Sequence, residues 1–358
     1  MSGLLQRLLT RSGILPVLRS QWRADQAAAA HKLEGRLHKQ LTALREELAR
    51  QSDAVNQLLQ HTETLVNSPE RVARMERDIR MMRDTMALDI AHRRSGTNYA
   101  ELLNDPRVPA HVQNAIGSAP VQTDPSVHIV VNDLLPGDAY RALIDGIPPP
   151  IFFSQKDETK QNLRLAGVHI APELTIEMLT FLEERLIPRI MVPALLDKLT
   201  PYIREFYVRE YGPDRGPALA AIPHEATRGR LMLRRPGYHL DPHLDPKRVV
   251  FTCLLYFARP GDSEGFGTTF YRMNGTPQID RTNTFYPQTQ GIRCDPVKMV
   301  PFRANSAVAF LNWGGAHGAD IPKDAPRDTE RYSYQFYVSP DEAALAALAS
   351  EPVSTAAR

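Results

Sequence analysis

Cysteine is nearly absent from this 358-residue chain, which carries two, Cys253 and Cys294. Two thiols in unrelated contexts build neither a disulfide framework nor a zinc knuckle, so a reducing, cytoplasmic setting is expected. Charge of one sign is also missing in excess. Lys plus Arg number 43 and Asp plus Glu 41, a formal net charge of +2. That balance gives no global field for nucleic acid or an anionic membrane. Long apolar runs are lacking as well, and nothing approaches the roughly 20 residues that cross a bilayer.

Acidic residues are absent from the first 24 positions, where Arg7, Arg11, Arg19 and Arg23 alternate with Leu4, Leu5, Leu8 and Leu9. This is the pattern of a docking or terminal helix, with an organelle-targeting signal as the second reading. Glycine and proline then become scarce from about Gln26 to Arg94. Leu37, Leu41, Leu44 and Leu48 recur at steps of four and three, and Val55, Leu58 and Leu65 keep the phase. Such spacing is a coiled-coil seam. Asn67-Ser-Pro-Glu marks a break, after which Val72, Met75, Ile79, Met82 and Met86 resume in a shifted register. Residues 1–95 are therefore expected to be a helical, coiled-coil-like region through which the chain forms a homo-oligomer. Residues 96–124, with Asn104-Asp-Pro and Gly117-Ser-Ala-Pro, read as a linker.

What the chain does contain is a dense motif between Leu231 and Tyr256. A short strand leads to Pro236-Gly237, then to His239-Leu-Asp241-Pro and His243-Leu-Asp245-Pro, then to a second apolar strand. In extended backbone, residues two apart project to one side, so either His-x-Asp pair presents an imidazole and a carboxylate together. Spacing alone leaves the choice of pair open. A distant His317, in Trp313-Gly-Gly-Ala-His-Gly-Ala319, follows the apolar run Ser306–Leu311 and could be brought beside them. Two imidazoles and one carboxylate are the ligand set of non-haem Fe(II) oxygenases, which leave other positions on the metal open.

The ordered combination resembles the prolyl-4-hydroxylase-like branch of the Fe(II)/2-oxoglutarate-dependent dioxygenases. The resemblance is carried by Gly237-Tyr238, His243-Leu-Asp245, Thr252-Cys-Leu-Leu-Tyr256, Gly265-Phe-Gly-Thr-Thr-Phe-Tyr271, the distal His317 and Arg331-Tyr-Ser-Tyr-Gln-Phe-Tyr-Val338. It implies His243, Asp245 and His317 as metal ligands. It also implies that Arg331 and Tyr256 bind the far carboxylate of 2-oxoglutarate. Arginine suits that task because its planar fork grips a carboxylate at two points and stays charged when buried. Arg327 is the competitor for this role. Arg331 is preferred because an aromatic strand follows it.

The fold expected on this basis is α+β. A double-stranded β-helix (jelly-roll) domain over 125–340 is buttressed by helices at Thr175–Ile187 and Val192–Tyr207, and a tail follows over 341–358. The resemblance implies a hydroxylase that uses Fe(II) and 2-oxoglutarate, with ascorbate as a candidate reductant and a peptidyl-proline or small-molecule substrate. Two other readings stand beside it: a metal-dependent hydrolase on the same three ligands, and a non-catalytic oligomeric scaffold. The turn-rich stretch 272–300 could be a lid over the site or a plain surface insertion.

Overall fold

Every strand pair among the described residues is antiparallel. The computed structural model describes residues 32, 35, 37–54, 69–154, 157–246, 248–275 and 283–344. The Arg-rich start, the break at Asn67-Ser68, the later leucines Leu58 and Leu65, and the tail from 345 lie outside the described residues. The chain divides into two units, 1–76 and 77–358.

In the first unit, residues 37–54 are helical, and Leu37, Leu41, Leu44 and Leu48 are all exposed. The second unit takes up the helix Pro69–Ser95 from Arg77 onward. There Met81 is the buried residue, while Ile79 and Met86 are exposed. The Arg77 guanidinium ties this helix down, donating to Ile151 O and Phe153 O, each at 2.8 Å.

Residues 96–124, with the turn signals of a linker, include regular structure. They contain helices Tyr99–Leu103 and Arg107–Ser118. The Asn98 side chain caps the first by accepting from Glu101 N–H at 3.1 Å. Val108, Val112 and Ile116 fall four apart on one face of the second and are fully buried. Asn104-Asp-Pro is punctuation between two helices, and its turn residues masked the apolar stripe that follows.

The strands are β1 (Val121–Gln122), β2 (His128–Val131), β3 (Lys160–Leu163), β4 (His224–Ala226), β5 (Arg230–Arg234) and β6 (His239–His243). Then come β7 (Phe251–Tyr256), β8 (Thr268–Met273), β9 (Cys294–Val300), β10 (Ser306–Leu311), β11 (Ala316–Asp320) and β12 (Arg331–Pro340). The larger sheet runs β1-β2-β10-β7-β12-β5-β3, with β4 also paired to β12, and the smaller runs β6-β11-β8-β9. Part of the supposed 272–300 loop is thus the strand β9, paired to β8 from Thr268↔Val300 to Met273↔Cys294.

Central strands of the large sheet are buried on both faces, so they read as unbroken apolar runs. In β7, Phe251, Cys253 and Leu255 join a core with the helices, including Leu182, Leu186, Leu195, Leu199 and Ile203. Leu254 and Tyr256 point the other way, into a second cluster with Phe270 of β8, Val300 of β9 and Phe310 of β10. The period of two sends alternate residues to the two cores.

The helical layer differs from expectation in one respect. Glu173–Thr180, Phe181–Met191 and Val192–Tyr211 follow one another without a break, and the middle segment is a π-helix. Val192 N–H donates to Ile187 O, five residues back. Pro188 sits inside that segment; it has no N–H to give, and the wider turn accommodates it. No helix among the described residues is long and apolar enough to cross a membrane.

Candidate metal centre

The Pro236-Gly237 turn connects β5 to β6, with Gly237 at φ +89°, a conformation that favours glycine. Strand β6 then pairs with β11 so that His243 and His317 are direct register partners, and their ring centroids lie 4.1 Å apart. The ladder shifts register just beyond His317. Gly318 permits this close approach, because a Cβ there would lie 2.6 Å from Leu240 O. The glycine following His317 is thus needed for packing.

Asp245 lies two residues beyond His243 and on the same side. Its backbone is clamped from both directions by Asn312. Asp245 N–H donates to Asn312 Oδ1 at 2.9 Å, and Asn312 Nδ2 donates to Asp245 O at 2.7 Å and to Pro246 O at 3.0 Å. Its carboxylate accepts from Thr252 Oγ1 at 2.5 Å and from Tyr337 Oη at 3.2 Å. Thr252 and Tyr337 are themselves register partners across β7 and β12, so two adjacent strands aim hydroxyls at one carboxylate.

His243, Asp245 and His317 are buried, and one ligand atom from each lies within 4.8 Å of the others. His243 Nδ1 is 2.9 Å from Asp241 O. A carbonyl only accepts, so Nδ1 carries the proton, and in the neutral ring Nε2 is the nitrogen with a free lone pair. Burial, with a smaller push from the neighbouring His243, holds His317 well below the usual histidine range and therefore neutral at pH 7. Neutral imidazoles and a carboxylate are the forms that bind a metal.

The upstream pair stands elsewhere. His239 is exposed and bonded to Asp241 at 3.0 Å and Asp320 at 2.9 Å, both exposed as well. These two carboxylates, Asp320 first, raise the His239 pKa.

Arg331 is buried and lines the same cavity as the three candidate ligands, whereas Arg327 is exposed. Its Nε donates to Phe266 O, and its guanidinium carbon lies 5.3 Å from the Tyr256 ring and 5.2 Å from the Phe302 ring. Tyr256 sits behind the cavity wall; its hydroxyl donates to Thr268 Oγ1 at 2.6 Å, and Thr268 lines the cavity. Burial raises the Tyr256 pKa against the opposing pull of Arg331.

Several cavity residues escaped the sequence reading: Thr268, Arg230, Arg234, Gln335, Tyr337 and Tyr286. For β12 the signal was present, since Ser333, Gln335 and Tyr337 share the face of Arg331 by the period of two. Tyr286 carried none. It is positioned by Phe285, which exchanges both backbone hydrogen bonds with Leu244 at 2.9 Å, and its ring lies 5.7 Å from that of His243.

No protein-family model matches the chain, and no curated protein matches it. Solved structures do. A Pseudomonas putida prolyl-4-hydroxylase is similar at 14% identity and a TM-score of 0.35, over 66% of this chain and 100% of that one. An oxidoreductase of the 2OG-Fe(II) oxygenase family from Burkholderia pseudomallei is similar at 10% identity and a TM-score of 0.32, over 59% of this chain and 84% of its own. The non-heme alpha ketoglutarate dependent carbocyclase SnoK from nogalamycin biosynthesis is similar at 12% identity and a TM-score of 0.36, over 60% and 79%. At TM-scores below 0.5 the functional reading has to rest on the site itself.

Proposed function

We propose that this chain is an Fe(II)- and 2-oxoglutarate-dependent oxygenase that hydroxylates a small-molecule or peptide substrate. One observation carries the reading. A buried His/His/Asp set shares its cavity with a buried arginine, Arg331, that has no carboxylate partner among the described residues. A metal site explains the first and an anionic co-substrate explains the second.

His243 Nε2, His317 and one oxygen of Asp245 would hold the iron. Thr252 and Tyr337 orient the carboxylate, and such partners of metal ligands fix geometry and affinity. Arg331 and Thr268 would take the far carboxylate of 2-oxoglutarate, with Tyr256 acting through Thr268. Ferrous iron bound there, with 2-oxoglutarate and dioxygen, supplies the oxidising power for C–H hydroxylation and leaves succinate and CO2. The two sheets would form the double-stranded β-helix, or jelly roll, of the 125–340 domain. The exposed leucines of 37–54 would serve self-association of the 1–95 region. Two free cysteines suit a reducing, cytoplasmic setting that keeps iron ferrous.

A hydrolase on the same ligands would need a general base. Among the described residues lining the cavity, Asp245 is the one carboxylate, and it belongs to the ligand set. A scaffold reading leaves the buried cluster without a purpose.

The test is anaerobic titration with Fe(II) and then 2-oxoglutarate, following the visible charge-transfer absorption of the chelate. The band is expected in the wild type and in His239→Ala, and lost in His243→Ala and Arg331→Ala. No band in the wild type would overturn the proposal.

A further inference from the structure

The cavity wall contributed by the large sheet carries a row of cations. Lys160 on β3 is the register partner of Arg234 on β5, and Arg234 is the register partner of Arg331 on β12. Three basic residues therefore stand side by side across three strands, and like charges directly opposite one another repel. Arg230, four residues back along β5 and so on the same face, adds a fourth.

Lys160 at the exposed rim interacts with Asp157, but among the described residues no carboxylate pairs with the arginines of this row. The one carboxylate lining the cavity, Asp245, already accepts from Thr252 and Tyr337. Arg234 is 2% exposed, yet its acceptors among the described residues are neutral: Gln161 O at 2.7 Å, Leu233 O at 2.9 Å, Asn162 Oδ1 at 3.1 Å and the Tyr238 hydroxyl. Its Nε is buried without a partner. Half-buried Arg230 likewise bonds only neutral groups, Gln335 Oε1 at 3.0 Å from Nε and Tyr337 Oη at 3.4 Å from Nη2. Burying a charge without a counter-charge is costly, and a cluster of buried guanidiniums is tolerated where an anion completes it.

The far carboxylate of 2-oxoglutarate accounts for Arg331 alone. We propose that the substrate carries an anionic group, a carboxylate or a phosphate, held by Arg234 and Arg230 with Lys160 at the rim. This rests on the oxygenase reading, which assigns Arg331 to the co-substrate. The site therefore selects acidic molecules or peptides with an acidic residue near the hydroxylated carbon. A neutral substrate leaves the two arginines of β5 unpaired. The guanidinium of Arg234, 5.0 Å from the Tyr238 ring, is held in place before any ligand arrives.

The test uses the full chain loaded with Mn(II), which binds oxygen and nitrogen ligands without supporting turnover. Calorimetry measures 2-oxoglutarate first. Inorganic phosphate and acetate are then titrated separately into the 2-oxoglutarate-loaded form at constant ionic strength. The expected result is anion binding that persists with 2-oxoglutarate present and weakens at least about tenfold in the Arg230→Gln/Arg234→Gln double variant. The affinity for 2-oxoglutarate in that variant stays within about threefold of the wild type. Tighter phosphate points to a phosphoryl group, and tighter acetate to a carboxylate. Should the double variant fail to fold, Arg230→Gln alone, at a half-buried position, carries the same comparison. Mutual exclusion of phosphate and 2-oxoglutarate, with Arg234→Gln weakening both, makes Arg234 a second arm for the co-substrate and overturns the proposal. Absence of anion binding in every form also overturns it. Phosphate binding that is lost in the double variant, in a chain that takes no 2-oxoglutarate, sinks the oxygenase reading and leaves the anion site standing.

Discussion

Asp245 receives two hydroxyls from one rung of the large sheet. Thr252 on β7 and Tyr337 on β12 are register partners, and each donates to a different oxygen of the same carboxylate. An ionised carboxylate only accepts, so both hydroxyls stabilise its charged form and fix its plane. Thr252→Val keeps the shape and removes one donor. Metal affinity is expected to fall about 10- to 100-fold, the usual effect of removing a partner of a ligand. Tyr337→Phe, which loses the longer bond, should cost less. Competition with a chromophoric chelator measures both, and unchanged affinity in both variants would separate these hydroxyls from metal binding.

Removing a proposed ligand is a larger change. His243→Ala or His317→Ala should abolish stoichiometric Fe(II) or Mn(II) binding, whereas His239→Ala should retain it, because His239 is exposed and bonded to Asp241 and Asp320. Metal content after gel filtration distinguishes the two sets.

Asn312 makes three hydrogen bonds to the backbone at 245 and 246. Asn312→Ala leaves buried backbone groups unsatisfied, and each such group costs about 1–3 kcal/mol. Urea denaturation should show a loss in that range, accompanied by weaker metal binding because the clamp positions the proposed ligand Asp245.

Ile116 tests whether 96–124 belongs to the folded unit. It is fully buried, so Ile116→Ala should destabilise by about 2–5 kcal/mol if its helix is part of the core. A change near zero in thermal or urea unfolding would return the segment to the status of a linker.

Acid should weaken the fold through histidines that are buried neutral. Burial lowers the pKa of His128 and of His224 from the usual 6.5. Below about pH 6.5 the unfolded chain binds protons that the folded chain refuses, so stability rises with pH across that window. It is complete above the unfolded value and is lost as pH falls toward the depressed folded values. The slope contributed by each residue is at most about 1.4 kcal/mol per pH unit. Melting temperature from pH 4.5 to 7.5 should flatten in His128→Gln/His224→Gln, and an unchanged slope would assign acid sensitivity to other groups.

Much of the site could be read from the chain because its chemistry is local. A His-x-Asp pair needs only the pleat to project together, although the pleat does not choose between His239/Asp241 and His243/Asp245, and Arg331 begins a run that is visibly a strand. The apolar run Ser306–Leu311 forms a strand along its whole length. What escaped depends on partners distant in sequence. That Arg234 faces both Lys160 and Arg331 follows from sheet order, which no window of sequence contains. The fate of Tyr286 was set by a backbone bridge from Phe285 to Leu244, and the π-helix by how the chain absorbs Pro188 while keeping Leu186 and Ile190 in the core. The helix at Arg107–Ser118 was legible in Val108, Val112 and Ile116, and turn residues on either side outweighed it.

Strand β12 has a consequence for how this protein can vary. Arg331, Ser333, Gln335 and Tyr337 line one face, while Tyr332, Tyr334, Phe336 and Val338 fill the helical core on the other. A substitution alters one contact. Loss or gain of a single residue would exchange the two faces beyond it, carrying aromatic rings toward the candidate metal site and hydroxyl and amide groups into the core. Related chains can therefore differ in the letters of this segment, but its count of residues between Arg331 and Tyr337 is the quantity that cannot drift.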